Sequence, residues 1–278
     1  MTAPDHREFY LEPAAMTAFP AGFAEDLPRD VAGVFALVQG LMMHQFWTQA
    51  YGEPLTDEGR EQAHARSTGQ MLGLARGMDP APLGVARPPA RRVIGVCRHF
   101  SVLATALLRR QGIAARARCG FGLYFDGTPV DHWVAEYWDT TARVWRLGDA
   151  QLDAVQLDAL KPSFDPLDVP RDQFLVGGEA WRRCRAGETD PTSFGIMDMH
   201  GLWFVAGNLV RDIAALNNRE MLPWDVWGRD APARRGSPAR RSWPSWMRRP
   251  PSAWLLTPVS TSYGRSTPTI AGACRSGW

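Results

Sequence analysis

Three observations predict an α+β fold. From Cys97 onward Phe100, Leu103, Ala104, Leu107 and Leu108 recur at helical spacing. Beyond them, 131–138 and 144–149 alternate apolar and polar residues across a short polar break, the pattern of two paired strands. Apolar segments of helical period lie on both flanks, at 29–51 and 199–216. Such segregation predicts helices packed on an antiparallel sheet, with the Cys97 helix at its N-terminal side and helical flanking segments.

Composition bounds the rest. The 278 residues are 45% hydrophobic, enough for a sizeable core. Of the 31 basic residues only Lys161 is a lysine, a bias that records GC-rich coding. The net charge of +2 hides an asymmetry: residues 231–278 hold eight arginines and no acid, leaving 23 basic against 29 acidic residues elsewhere. Nucleic-acid binding by the folded part is therefore not expected. Four cysteines, Cys97, Cys119, Cys184 and Cys274, show neither metal-ligand spacing nor a disulfide framework, so a reduced, cytoplasmic setting is expected, with no metal and no cofactor. The N-terminal MTAPDHREFYLEP lacks the apolar core of a signal peptide. Residues 31–52 carry no charge, but Gln39, His44, Gln45, Thr48 and Gln49 interrupt them, so a buried helix is expected and no membrane span.

Taken in order, the first helix covers 29–51, with Val31, Val34, Phe35, Val38, Leu41, Met42, Phe46 and Trp47 at its spacing and Gly52 and Pro54 at its end. A second runs from Asp57 to Arg76 with Thr56 as N-cap. The proline-rich stretch 79–92 connects it to the Cys97 helix, which Arg109, Arg110 and Gly112 close. Residues 113–125 form a strand, Asp126-Gly127 a turn, and 131–138 a half-buried strand with His132, Val134 and Glu136 on one face. A leucine-spaced segment at 155–160, a proline-punctuated loop, a helix at 171–185 ending near Gly187 and a core helix at 199–216 complete the folded part; no internal repeat occurs. Residues 231–278, with seven prolines and Trp243, Trp246, Trp254 and Trp278 at no period, predict a disordered tail or the product of a frame shift after about Gly228. The expected organisation is a helical region at 1–90, a core at 91–155, a mainly helical extension at 156–230 and the basic tail at 231–278.

The candidate chemistry sits in the core. Cys97 opens a helix, where unpaired N–H groups and the positive end of the dipole favour thiolate, the nucleophilic form. A hairpin closed about Thr140 and Thr141 pairs 138 with 143 and 132 with 149, which sets His132 opposite Asp149. Directly opposed Cβ atoms lie roughly 5 Å apart, close enough for a carboxylate to hold an imidazole. Asp190, in Asp190-Pro191-Thr192, is the rival orienter. His99 is two residues from Cys97, about 200° around a helix by geometry, so it points away. His44 is assigned to packing, His64 and His200 to helices and His6 to the terminus. Cys119 and Cys184 take structural roles.

These residues resemble the core of the transglutaminase-like superfamily: Cys97 at a helix start, Leu107-Leu108-Arg109 through Gly112-Ile113-Ala114-Ala115-Arg116, then His132-Trp133-Val134-Ala135-Glu136-Tyr137, then Trp145 with Asp149. The resemblance covers 93–153 and implies a papain-like fold with Cys97 as nucleophile, His132 as base and Asp149 as orienter. Ala150 stands where many members have proline, and no clustered acidic loops mark calcium sites. Gly201-Leu202-Trp203-Phe204 and Leu222-Pro223-Trp224-Asp225 resemble a bacterial subgroup.

The expected function is thiol-mediated acyl transfer on a peptide or small amide, with hydrolysis as the default because water is always present. Transfer to an amine is the alternative outcome, and a non-catalytic protein-binding module on the same fold is the competing class. Arylamine acetyltransferases share the triad but need an acyl-CoA site, and no basic phosphate-binding cluster stands out in the core. A nucleophilic Cys97 is expected to react with iodoacetamide well below pH 8, and faster than Cys119.

Overall fold

The computed structural model describes residues 6–23 and 27–225. The predicted tail at 231–278 lies outside these residues, as does the proposed frame-shift point.

Helix α1 (Val31–Leu41) starts at Asp30, whose carboxylate accepts the Gly33 N–H at 2.8 Å. It ends ten residues before the predicted stop: β1 (Met42–His44) then runs parallel to β2 (Val93–Gly95). The run 31–47 is apolar on most sides, and periodicity alone does not separate a buried helix from a buried strand. The long-range pairing with Val93–Gly95 decides it. The predicted 57–76 helix is likewise two, α2 (Asp57–Gln62) and α3 (Thr68–Met78). Ser67 and Gln70 form a capping box between them, a start signal present in the sequence as S-x-x-Q.

Helix α4 (Cys97–Arg110) is buried from Cys97 through Arg109 and packs on α1, β3 (Ala115–Gly122) and β4 (Val130–Asp139). The chain continues through β5 (Val144–Gly148), α5 (Ala154–Leu160), β6 (Phe174–Val176), α6 (Gly177–Ala186), β7 (Gly195–Ile196), β8 (Met199–His200) and α7 (Leu202–Leu216). Within the predicted 171–185 helix residues 174–176 are strand instead, and within 199–216 so are 199–200, both recruited to the sheet edges. The sheet order is β6-β3-β4-β7-β8, with β5 also on β4; its pairings are antiparallel except β4 with β7, at Val130 and Gly195.

Strand β4 is buried on both faces from Asp131 to Tyr137, not half-buried as its alternation predicted. Trp133, Ala135 and Tyr137 join the main core with Phe100, Leu103 and Leu107 of α4. Val134 packs with Tyr124, Leu147, Leu152 and Phe174, where the chain after β5 folds back over the sheet. Glu136 is buried beneath arginines: its Oε2 accepts from Arg116 Nε at 2.7 Å and Arg118 Nη1 at 2.6 Å, and Arg118 also binds Asp212 of α7 in bidentate fashion. The polar residues of an alternating strand thus signal ion pairs here, not solvent.

The hairpin register differs from the predicted one by two residues. Asp139 pairs with Val144, Trp138 with Trp145 and Ala135 with Gly148. Asp139 Oδ1 accepts from the Thr141 and Ala142 N–H groups, and Arg143 takes φ 57°, so the loop is 140–143 and its centre lies one residue later. Asp149 follows the end of β5, so it is not the directly opposed partner of His132.

Candidate active site

Strand β2 delivers the chain to Cys97. At Gly95 a Cβ would lie 2.8 Å from Met42 Cε and 3.0 Å from His99 Cβ, so the first turn of α4 closes down on the strand only with glycine there. The N-cap, Val96, has no polar side-chain group to cap the helix; instead its own N–H donates to His99 Nδ1 at 3.1 Å. His99 is fully buried, and burial with the neighbouring Arg98 charge lowers its pKa to about 3. It is a structural brace for the helix start.

Cys97 is 7% exposed, and the backbone N–H groups of Trp133 and Arg98 act to lower the pKa of its thiol. The sequence expectation of a pre-formed thiolate is corrected here. Burial pushes the thiol pKa well above its ordinary value, with Asp131 and Asp149 adding to the rise and the two N–H groups opposing it. Helix-terminus polarisation is outweighed because desolvation penalises the charged form. Cys97 therefore rests as a thiol, and labelling well below pH 8 no longer follows without a base.

His132 lies on β4, 2% exposed, with Nε2 2.8 Å from Asp149 Oδ2. That contact survives the two-residue register difference because β5 keeps its parity, and Asp149 reaches back diagonally past the strand end. Asp149 is 1% exposed; its Oδ1 accepts the Gln151 N–H at 3.0 Å, and its Oδ2 also accepts from Tyr124 O–H at 2.7 Å. Phe125, Tyr124 and Phe174 surround the imidazole edge-on, with centroids at 4.8, 5.8 and 6.2 Å. With Nε2 engaged by the carboxylate, Nδ1 is the ring nitrogen that the carboxylate leaves open.

Residues 81–150 match the family model described as the transglutaminase-like superfamily. Cys97, His132 and Asp149 all fall inside the matched segment. The core is transglutaminase-like. Among solved structures, one described as "a Putative Cysteine Protease from Cytophaga hutchinsonii" is similar at 17% identity and a TM-score of 0.22, over 58% of this chain and 49% of that one, so the likeness spans about half of that protein's length. No curated protein matches the chain.

The rival orienter, Asp190, is exposed in this transglutaminase-like arrangement and accepts from Thr192 N–H at 2.9 Å as the cap of a short helical turn. Cys119 lies fully buried in β3 and Cys184 half-buried in α6. Nothing in the sequence marks Tyr124: the pattern predicts one strand over 113–125, whereas the strand ends at Gly122 and the chain bends there, which brings Tyr124 onto Asp149. No periodic signal marks such a contact.

Cys97 and His132 open on a cavity of about 790 Å³. Its walls are aromatic and sulfur-rich, with Trp47, Phe125, Met199, Trp203, Phe204 and Trp224 among them. Asp131, also on this wall, is buried and accepts from Asn208 Nδ2 at 2.7 Å; burial raises its pKa. Among the described residues no group of three or more His, Cys, Asp and Glu could hold a metal ion, and no helix is long and apolar enough to cross a membrane.

Proposed function

We propose that this chain performs thiol-mediated acyl transfer on the amide of a peptide or small molecule, with water as acceptor. One observation carries the reading: a buried imidazole held at 2.8 Å by Asp149 shares a cavity with a cysteine at the first turn of a helix. His132 Nδ1 takes the Cys97 proton as sulfur attacks the carbonyl carbon, giving a tetrahedral oxyanion. On collapse the C–N bond breaks, and the imidazolium returns its proton to the leaving amine. Water, deprotonated by the same nitrogen, then hydrolyses the thioester and regenerates the thiol.

Asp149 fixes the ring and stabilises the imidazolium, and Tyr124 donates to the same carboxylate oxygen, so that oxygen's position is doubly set. A resting thiol places the burden on base catalysis rather than on a pre-formed ion pair. A reducing, cytoplasmic setting suits such a nucleophile, which is accompanied by the unpaired Cys119 and Cys184.

Turnover of a panel of peptide amides and activated esters tests the reading; a protein that acylates on no member would be a binding module instead. Adding a primary amine separates the acceptors, since transfer to the amine at the expense of hydrolysis would assign the crosslinking outcome. Asp149→Asn is expected to lower kcat by less than the roughly 10⁴-fold loss of a serine triad, because the amide oxygen still orients the ring and a thiol needs less help than a hydroxyl. Tyr124→Phe is expected to cost about tenfold in kcat with KM unchanged. A loss in KM alone would make Tyr124 a substrate contact and not a positioning residue.

A further inference from the structure

Acyl transfer needs two donors for the oxyanion, and the Cys97 N–H at the start of α4 supplies one. The second is a group that the steps above do not use. Strand β1 ends at His44, the register partner of Gly95, two residues before Cys97. The ring is buried and lines the same cavity as Cys97 and His132. Phe46 and Phe100 pack against it with centroids at 5.4 and 6.4 Å. Its Nδ1 accepts the Phe46 N–H at 3.2 Å. A neutral imidazole that accepts at Nδ1 carries its proton on Nε2, so Nε2–H is left to serve whatever occupies the cavity.

We propose that His44 Nε2–H is the second oxyanion donor; the inference rests on the acyl-transfer reading. Burial above all, with the His132 charge also lowering and Asp149 opposing, brings the His44 pKa to about 3, so the ring stays neutral wherever the thiol chemistry runs. Neutrality suits the task. A second imidazolium beside His132 would resist the proton that His132 must take up in the attack, whereas a fixed N–H dipole stabilises the oxyanion without that cost. Gln45, on the same wall, is the neighbouring alternative.

The test compares two reactions of Cys97 in the full chain. Acylation by a p-nitrophenyl ester passes through an oxyanion; alkylation by iodoacetamide, a displacement at saturated carbon, does not. His44→Phe, which keeps a ring in the Phe46 and Phe100 packing, should slow acylation about 10²- to 10³-fold and leave alkylation within about threefold. His44→Gln, whose amide N–H can reach the same place, should recover at least about tenfold of the acylation rate, and Gln45→Ala should acylate within about threefold of wild type. Unchanged acylation in His44→Phe, an equal fall in both reactions, or the loss appearing in Gln45→Ala instead would overturn the assignment. A wild-type protein that alkylates but never acylates would sink the acyl-transfer reading itself, an outcome visible before any variant is made.

Discussion

His132→Ala should reduce turnover of an activated ester by about 10³- to 10⁴-fold, and Cys97→Ala should bring it to background. The size of the first effect follows from the state of the thiol. Where a cysteine is already ionised, losing its base leaves much of the nucleophile in place. Here burial, Asp131 and Asp149 all disfavour the thiolate, so in the proposed reaction proton removal falls to His132 at the moment of attack. The pH dependence carries the sign. A thiol pushed above its ordinary range loses its proton only at higher pH, so alkylation of Cys97 in His132→Ala should climb about tenfold per pH unit from 7 to 9 without a plateau. Wild type should react faster at every pH in that range. A plateau near neutrality in the variant would mean that the helix terminus, not the base, controls the thiol.

Glu136→Gln should destabilise the fold by about 3–5 kcal/mol, the cost of breaking a buried ion pair by removing one partner. Burial works to raise the Glu136 pKa, but Arg118 and Arg116, with the Arg171 hydrogen bond, hold the carboxyl at about 2 against an ordinary 4.5. A depressed carboxyl contributes stability that is full above its unfolded value and is lost as pH falls through its folded one. That contribution should therefore be intact above about pH 4.5 and drain away towards pH 2, and in Glu136→Gln this part of the acid profile should flatten. At neutral pH the variant should melt roughly 10 °C lower, at about 2–4 °C per kcal/mol for a chain of this size. A melting point within 2 °C of wild type would contradict the role given to this cluster.

The core of the fold was legible where local pattern and tertiary pairing agree. Helix α4 begins at Cys97, as its spacing and the proline-rich connector before it predict. The hairpin is more instructive: its register moved by two residues, yet His132 still meets Asp149. Side chains alternate with period two, so an even slip keeps the face, whereas a slip of one would have turned Asp149 away. The turn centre was misplaced because Asp139 draws two N–H groups of the loop to its side chain, a preference that alternation does not encode.

What was not legible depends on distant parts of the chain. The stop at Leu41 is imposed by a strand some fifty residues on, and the thiol's raised pKa by a sheet that the helix start cannot see from its own sequence. Tyr124 and His44 reach the site from a bend and from a strand end, positions where no spacing announces a partner. Glu136 reads as the exposed position of an alternating strand until two arginines of β3 and Arg171 from the loop before β6 are found above it.

The central claim is that Cys97 carries the acyl group. Intact-mass analysis of the full chain, quenched in acid within the first turnover of a p-nitrophenyl ester and then mapped by proteolysis, tests it directly. The account predicts one acyl group per chain, on Cys97, that forms faster than it is lost, disappears on further incubation and is absent from Cys97→Ala. Nitrophenol release without an adduct, or an adduct on the half-buried Cys184 with Cys97 unmodified, would contradict it.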